Sequence, residues 1–431
     1  MQDRSFVPFT EEMKKDYTIL VPNMLPIHFK LLISLFKANG YNVELLETTG
    51  PQIAETGLKY THNDTCYPAI LVVGQMMDAL LSGRYDLDKT ALIMFQTGGG
   101  CRASNYISLI RKALKKANME QVPVISLNFY GMENHPGFKL TPKILHSMIY
   151  AVCYGDLIMS LVNQVRPYET NKGEAEALAD RWTEKLGAEL ANEKIRYRII
   201  KKNYKAIIAD FAKIPMVKTN RPKVGIVGEI FVKYSPLANN DLERFLIKEG
   251  AEVVVPGLID FCLYAIYNSI MDYRLYGKNR KTYLIWKFAF WLFNKKKNDI
   301  SKLIVEEGTF DGWTEFDKII DIAAGVISLA VKMGEGWLLT SEMVELAESG
   351  CSNIVCTQPF GCLPNHICGK GMMKPLKEIL PDINIVAIDY DAGASRVNQE
   401  NRLKLMLANA KRIAEKNSEP SETYGETVAA V

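Results

Sequence analysis

Short runs of β-branched and apolar residues alternate with helical periodicity along the first 165 residues of the chain. The runs predict strands at residues 17–21, 42–46, 91–96 and 122–128. Between them, apolar positions recur every three or four residues, which predicts helices at residues 26–39, 68–81 and 106–117. Because parallel strands need crossover connections, this alternation predicts a parallel sheet with helices on both faces.

The alternation restarts at Pro222, after a charged stretch at residues 174–212 that has helical periodicity and no strand signal. Beyond it we predict strands at 224–227, 252–255, 353–357 and 385–388, with helices at 241–248, up to about 293, at 341–348 and at 398–413. The predicted organisation is an N-terminal α/β domain (1–170), a helical linker (171–221) and a C-terminal α/β domain (222–415). The second domain carries a helical insertion at about 257–300, and the polar end, 416–431, is predicted to be disordered.

Composition narrows the class of protein. With 431 residues, 48% of them apolar and 23% charged, the chain is long enough for two globular domains and is unlike a disordered or fibrous protein. Its 52 basic and 49 acidic residues are too balanced for a protein that mainly coats nucleic acid or an anionic membrane. No run approaches the roughly 18 apolar residues of a membrane span, and the charged start lacks a signal-peptide core, so we expect a cytoplasmic protein.

Three of the eight cysteines, Cys66, Cys101 and Cys362, are expected in loops that follow strand ends and precede predicted helices. In open α/β sheets such loops form the ligand-binding edge. The gaps of 35 and 261 residues between these cysteines match no zinc finger, which favours a site assembled across domains. Three thiolates in a chain with only five histidines suit an iron–sulfur cluster with one open iron better than a catalytic zinc. Cys153, Cys262 and Cys351, by contrast, are expected to be buried packing residues.

Other residues near these loops are candidates for the same site. Cys356 and Cys368 flank Cys362 by six residues on either side and are candidates for additional ligands, with Cys356 counted among the metal ligands. Together with Cys153 they are also the candidates for a second cluster, an alternative that stays open. His366 and Glu335 are candidate catalytic proton donors. The candidate cofactor-binding residues, chosen as glycines that allow close approach and a charge beside a thiol, are Gly99, Gly100, Arg102 and Gly361.

The segments that carry these residues resemble a known family. THNDTCYPAILVVGQMMDALLSG, QTGGGCRASNY, GEGWLLTSEM and QPFGCLPNHICGKG resemble the 2-hydroxyacyl-CoA dehydratase D-component family, most closely its branch found as the last part of large activase-related proteins. The resemblance covers about residues 15–410, and the double-cubane cluster proteins of the same superfamily are also similar.

This resemblance implies two Rossmann-like domains with parallel sheets and an iron–sulfur cluster in the cleft between them. The cluster would be a [4Fe-4S] or a double-cubane [8Fe-9S] cluster, with Cys66, Cys101 and Cys362 at the positions of its thiolate ligands. It would be reduced by a separate, ATP-hydrolysing activase with its own [4Fe-4S] cluster. In this chain the three glycines at 98–100 are followed by Cys101 and not by the Lys-Ser/Thr of a phosphate loop, so we expect ATP to be used by the partner.

The expected function is therefore an iron–sulfur reductase or a dehydratase-like lyase acting on a small molecule or an acyl-CoA. The alternatives are a double-cubane small-molecule reductase and a non-catalytic electron carrier. The family's dehydratases have two unlike subunits and a shorter loop at the third ligand, where this chain has Cys-Leu-Pro-Asn-His, so the substrate stays open. Neither nucleic acid nor membrane is an expected partner.

An apolar stretch at residues 283–293 predicts a further contact. Trp286, Phe290 and Phe293 recur at helical spacing, so they lie on one face that must be buried against something. Either the face covers the chain's own second domain or it meets another chain, and we expect the second, as the interface of a homodimer or heterodimer.

Overall fold

Two parallel four-stranded sheets organise the chain. The computed structural model describes residues 6–96, 100–127, 133–191, 196–277 and 280–418, the side chains of 413–418 excepted. The strands of the first sheet are β1 (Thr18–Pro22), β2 (Asn42–Leu46), β3 (Thr90–Phe95) and β4 (Val124–Leu127). Those of the second are β5 (Lys223–Gly228), β6 (Glu252–Val254), β7 (Asn353–Pro359) and β8 (Asn384–Tyr390). The predicted α/β class with parallel sheets is confirmed.

Both sheets have the same strand order. The first runs β2-β1-β3-β4 and the second β6-β5-β7-β8, with every pair parallel. In each sheet the order reverses between the first and third strands, β1 and β3 or β5 and β7. Loops that leave the carboxyl ends of these strands therefore border a crevice where α/β proteins commonly bind ligands.

Helices cover both sheets. Those of the first half are α1 (Met13–Asp16), α2 (Pro26–Ala38), α3 (Pro51–Tyr60), α4 (Tyr67–Leu81), α5 (Tyr106–Lys116), α6 (Pro142–Val165), α7 (Glu174–Ala191) and α8 (Tyr197–Ala212). Those of the second half are α9 (Ile230–Tyr234), α10 (Pro236–Asn239), α11 (Leu242–Lys248), α12 (Leu258–Tyr276), α13 (Arg280–Glu307), α14 (Phe316–Val326), α15 (Gly336–Glu348), α16 (Leu363–Cys368), α17 (Met373–Ile379) and α18 (Arg396–Ser418). Short 3-10 turns lie at Leu87–Lys89, Arg102–Asn105 and Lys370–Met372.

The strands begin and end within two residues of their predicted bounds. The helical stretch predicted to end at about 293 is two helices, α12 and α13, and α13 continues to Glu307. Helices α3, α6 and α14 and the short helices α1, α9, α10 and α17 were not predicted. The longest of these, α6, is apolar on almost every side, so it lacks the one-sided pattern that marks a surface helix. Among the described residues it is the one helix long and apolar enough to cross a membrane, and 67% of its apolar window is buried inside the fold. It is thus packed as a core helix.

The predicted linker at residues 171–221 does contain a pair of helices, but these pack against the first half and do not form an exposed connection between the halves. Trp182 and Leu186 of α7 are buried in the same apolar cluster as α2, and the ring of Tyr204 on α8 lies 5.1 Å from that of Tyr154 on α6. The apolar face of this pair completes the cover of the first sheet. The polar end of the chain lies outside the described residues from 419 onward.

A buried carboxylate fixes one half of the molecule to the other. Asp156 on α6 is 1% exposed, and its two oxygens accept the backbone N–H groups of Leu258 and Ile259 at 2.8 and 2.7 Å. Its Oδ1 also lies 2.8 Å from Nε2 of the buried His28. The carboxylate thus satisfies the start of α12, where free N–H groups and the helix dipole both favour negative charge. Gly257 leaves room for it, since a Cβ there would come within 2.7 Å of Oδ2.

We predict that Asp156→Ala destabilises the protein by about 3–5 kcal/mol, because it leaves two buried amides and a buried imidazole without their acceptor. Asp156→Asn, which keeps one acceptor oxygen, should cost less. The measurement is chemical denaturation followed by circular dichroism. Asp180→Ala, which removes an exposed partner of Lys30, is the matched control and should cost about 0–1 kcal/mol.

The α13 face predicted to be an interface instead packs inward. Trp286, Phe290 and Phe293 are half-buried against the chain's own core, and the ring of Phe290 lies 5.6 Å from that of Tyr267. The expectation offered two outcomes for this face, a partner or the chain's own core, and the structure shows the second. The opposite face of α13 is the exposed one, which the sequence pattern did not separate because apolar residues occupy both faces.

We therefore predict that changing Trp286 and Phe290 together to Glu unfolds the protein or makes it insoluble, because two carboxylates would be forced into the core. Yield of soluble protein and thermal unfolding measure this. A folded double variant with a changed oligomeric state would show instead that the face meets another chain.

Candidate functional site

Each of the three predicted ligand cysteines lies at the start of a helix. Cys66 precedes α4, Cys101 precedes the 3-10 turn that leads into α5, and Cys362 precedes α16. Cys101 and Cys362 follow β3 and β7, at the points where strand order reverses. Cys66 does not directly follow a strand as expected, because helix α3 lies between β2 and its loop.

The loops of Cys66 and Cys362 are in direct backbone contact. The N–H of Tyr67 donates to the carbonyl of Phe360 at 3.0 Å. Next to it, Gly361 has a φ of +72°, and a Cβ there would lie 3.1 Å from the Cα of Cys66. This position therefore requires a glycine for both its conformation and its close approach. The contact brings a thiol from each half of the chain to one place.

The loop of Cys101 contacts a third segment. The N–H of Gly100 lies 3.1 Å from Sδ of Met333, two residues before Glu335. Arg102 has an exposed side chain, and Gly99 lies outside the described residues. The segment that holds Glu335 is tied down in turn, since Tyr264 donates its hydroxyl to the carbonyl of Gly334 at 3.0 Å.

The three thiols share one electrostatic environment. Burial raises the pKa of Cys66 to about 12 and of Cys101 to about 11, and it raises the pKa of Cys362 well above the ordinary thiol range. Cys66 is within electrostatic range of both other thiols, so each thiolate also opposes ionisation of its neighbour. Backbone amides of the first helical turns, those of Ala69, Ala103 and Asn365, act in the other direction and favour thiolate. Without a bound cation these groups remain thiols at neutral pH, whereas metal coordination would deprotonate them.

Two buried glutamates face the thiols. Glu229 lies between β5 and α9, and Glu335 precedes α15; they are 8% and 7% exposed. Oε2 of Glu229 accepts the N–H of Val232 at 2.9 Å, while Oε1 of Glu335 accepts the N–H of Ile230 at 2.8 Å. Burial raises the pKa of both carboxyls, and the Glu335 charge raises that of Glu229 further. The nearby Lys233 ammonium offsets part of this increase. The pair can hold a proton beside the thiols near neutral pH.

Tyr106 is a site residue that sequence reasoning missed. It is 6% exposed, packs in a small apolar cluster with Cys66 and Ala69, and its hydroxyl hydrogen-bonds the Cys66 thiol. As a donor to that sulfur it favours the thiolate. The signal in the sequence was its position as the first residue of α5, five residues after Cys101.

His366 is exposed and engages atoms of its own loop. Its Nδ1 lies 2.6 Å from Nε2 of Gln358 and 3.0 Å from the carbonyl of Cys362. The ring therefore stabilises the loop of Cys362. Among the described contacts, none joins it to Glu229 or Glu335. Oε1 of Gln358 is buried and has no partner among the described residues, which leaves one unsatisfied acceptor behind this loop.

The remaining candidate cysteines do not gather into one group. Cys356 and Cys368 are buried together in the apolar cluster beside the second sheet, and Cys356 Sγ lies 3.7 Å from Oδ1 of Asn365. Cys153 lies in a different cluster, on α6, where it interacts with Tyr204. The packing expected for Cys351 is observed, whereas Cys262 is half-buried on α12.

The donor set fits an iron–sulfur cluster better than a single ion. Within the parts of the chain that the structure describes, no three His, Cys, Asp or Glu side chains are gathered tightly enough to hold one metal ion. Ligation of a single zinc needs three sulfurs about 2.3 Å from one point. A cluster of several irons spaces its thiolates further apart, and ligation by three thiolates would leave one iron of a four-iron cluster without a protein ligand. Neither a scan against protein-family models nor a search among curated proteins finds a match to this chain.

The buried glutamates predict how stability depends on pH. Because the folded protein raises their pKa values, it binds protons more tightly than the unfolded chain, so stability falls as pH rises from about 4.5, the unfolded value, through about 8, where Glu229 titrates. Replacing Glu335 with Gln removes one carboxyl and the repulsion on its neighbour. We predict that Glu335→Gln flattens this fall by up to about 1.4 kcal/mol per pH unit.

Denaturant titrations of metal-free protein between these pH values measure the effect. The matched control is Glu120→Gln at an exposed position, which should leave the slope unchanged. A Glu335→Gln protein with the wild-type slope would contradict the assignment of a shared, raised proton affinity to this pair.

Proposed function

We propose that this chain is a cytoplasmic, oxygen-sensitive iron–sulfur reductase or dehydratase-like enzyme whose cluster is held by Cys66, Cys101 and Cys362. The supporting observation is the convergence of three thiols, two from strand ends at the switch points of different sheets and one from the start of α4, on two buried glutamates. Cys356 is a further candidate ligand, but its sulfur is buried next to Asn365, so we do not propose it as one of the three cluster ligands.

When bound, the cluster would supply a low-potential electron and an iron open to substrate. The chain's own residues have three tasks. The apolar cluster around Tyr106 excludes water from the Cys66 sulfur, and the Tyr106 hydroxyl stabilises that sulfur as a thiolate. Glu229 and Glu335 hold a proton on their carboxyl oxygens next to the thiols, where a reduced substrate would need one. The close contact between Gly361 and Cys66 holds the loops of Cys66 and Cys362 next to each other.

The electron donor is proposed to be a separate activase that hydrolyses ATP and carries its own [4Fe-4S] cluster. Exposed apolar side chains lie close to the loop of Cys362. Such a surface suits docking of a protein or of an acyl group. These side chains are Met333, Phe360, Leu363 and Ile367. A second subunit, identical or unlike, is part of this proposal, as it is in the dehydratases that the sequence resembles.

Anaerobic purification tests the proposal. We predict a brown protein with about four iron atoms per chain and a comparable amount of sulfide. Cys66→Ala, Cys101→Ala and Cys362→Ala should each lose most of the iron, because each removes one of three ligands, whereas the matched control Cys262→Ala should retain it. Iron and sulfide analysis with electron paramagnetic resonance of the reduced protein gives the readout.

The same experiment separates the alternatives. About eight irons per chain would favour the double-cubane reductase. Iron that is reducible by an activase but is never oxidised by a hydroxyacyl-CoA or another small substrate would favour the electron carrier. Stoichiometric zinc without iron, or equal iron in all four cysteine variants, would overturn the assignment.

A further inference from the structure

A helical hairpin of the second half carries an exposed apolar surface. Helices α12 and α13 run antiparallel, since the ring of Tyr273 stacks on Tyr283 at 4.3 Å and Tyr267 lies 5.6 Å from Phe290. The inner face of this hairpin packs on the core. We call the residues 274–277 and 280–295 at its outer end the hairpin tip.

The outward face of the hairpin tip is formed by large apolar side chains, each between 46% and 66% exposed. They are Leu275, Tyr276, Leu284, Ile285, Phe288 and Trp291. On α13 the last four recur within two helical turns, so they form one stripe, and the rings of Phe288 and Trp291 are 5.8 Å apart. A contiguous stripe of this kind marks an interaction surface, whereas single exposed apolar residues do not.

Charge is strongly segregated around this stripe. Residues 273–298 contain eight Lys or Arg and no Asp or Glu, which leaves 44 basic against 49 acidic residues in the rest of the chain. Two of the eight turn inward, where Lys296 bonds the hydroxyl of Tyr150 and Lys297 pairs with Asp260. Exposed basic residues rim the apolar stripe. They are Arg274, Arg280, Lys281, Lys287 and Lys295.

We propose that the hairpin tip is a docking site for a membrane surface rich in anionic lipid. Aromatic and aliphatic side chains on one face of a helix, with lysines and arginines beside them, are what interfacial helices present to lipid. Trp291 suits the level of the headgroups, and Lys295, whose Nζ lies 5.4 Å from that ring, can reach the phosphates along its apolar stem.

Two other occupants fit the tip less well. Two copies meeting face to face would bring like charges together, which disfavours self-association. Protein interfaces are generally depleted in lysine, whereas the rim of this stripe contains three. The near-neutral whole chain led us to expect no membrane partner, but that balance conceals a local excess of positive charge.

Sedimentation of the full chain with lipid vesicles tests this proposal independently of any cluster. We expect binding to phosphatidylcholine vesicles containing about one third phosphatidylglycerol and at least about tenfold weaker binding to phosphatidylcholine alone. Raising the salt from about 0.1 to 1 M should weaken binding, because screening shortens the range of attraction. Ile285→Glu with Phe288→Glu should lower affinity by at least tenfold.

The matched control is Val305→Glu, which places a carboxylate at an equally exposed position of α13 outside the hairpin tip and should leave binding unchanged. Fluorescence of Trp291 should shift to the blue on binding, and the Trp291→Phe variant should lack that shift. The proposal is overturned if the wild-type chain does not bind anionic vesicles or if the double variant binds equally well. It is overturned also if the stripe instead drives self-association or capture of an acidic protein without any vesicle binding.

Discussion

The arrangement of the two halves depends on the carboxylate of Asp156. It belongs to a helix of the first half, yet it satisfies the first amides of α12 in the second half and is held in place by His28. A buried charge with three good partners tolerates little displacement, because any movement leaves donors unsatisfied in an apolar surrounding. The loops of Cys66 and Cys362, one from each half, meet within backbone hydrogen-bond distance.

Burial imposes the next constraint, on the site itself. The same apolar packing that excludes water from the thiols raises their pKa values and those of Glu229 and Glu335. Without a bound metal the three thiols are therefore protonated at neutral pH, and burial raises the pKa of both carboxyls above the ordinary range. Binding of iron would reverse this preference at the sulfurs and release protons, so metal affinity should rise with pH.

Sequence patterns predicted the strands well because a short β-branched run bounded by polar residues has few alternatives. They failed where a helix is apolar on every side, as in α6, or has too few apolar residues to stand out, as in α3. For the site, Cys101 and Cys362 were placed by their strands, whereas the neighbours of Cys66 depend on how α3 and α4 fold back. Tyr106 and the pairing of Glu229 with Glu335 needed tertiary contacts that local patterns do not contain. On α13 the helical spacing was predicted correctly. Apolar residues occupy both faces of this helix, however, so the sequence could not show which face is buried.

The identical strand order of the two sheets makes the halves topological repeats. Cys101 and Cys362 then occupy equivalent places, each in the loop after the third strand of its sheet. Cys66 and Glu335 are equivalent as well, since each lies just before the helix that leads into that third strand. Four of the site's loops are thus equivalent in pairs by strand order, and in them the first half contributes two thiols and the second half a thiol and the Glu335 carboxylate, with Glu229 beside it. The chemistry of these four loops is asymmetric because one pair of equivalent positions holds a thiol, Cys66, in the first half and a carboxylate, Glu335, in the second.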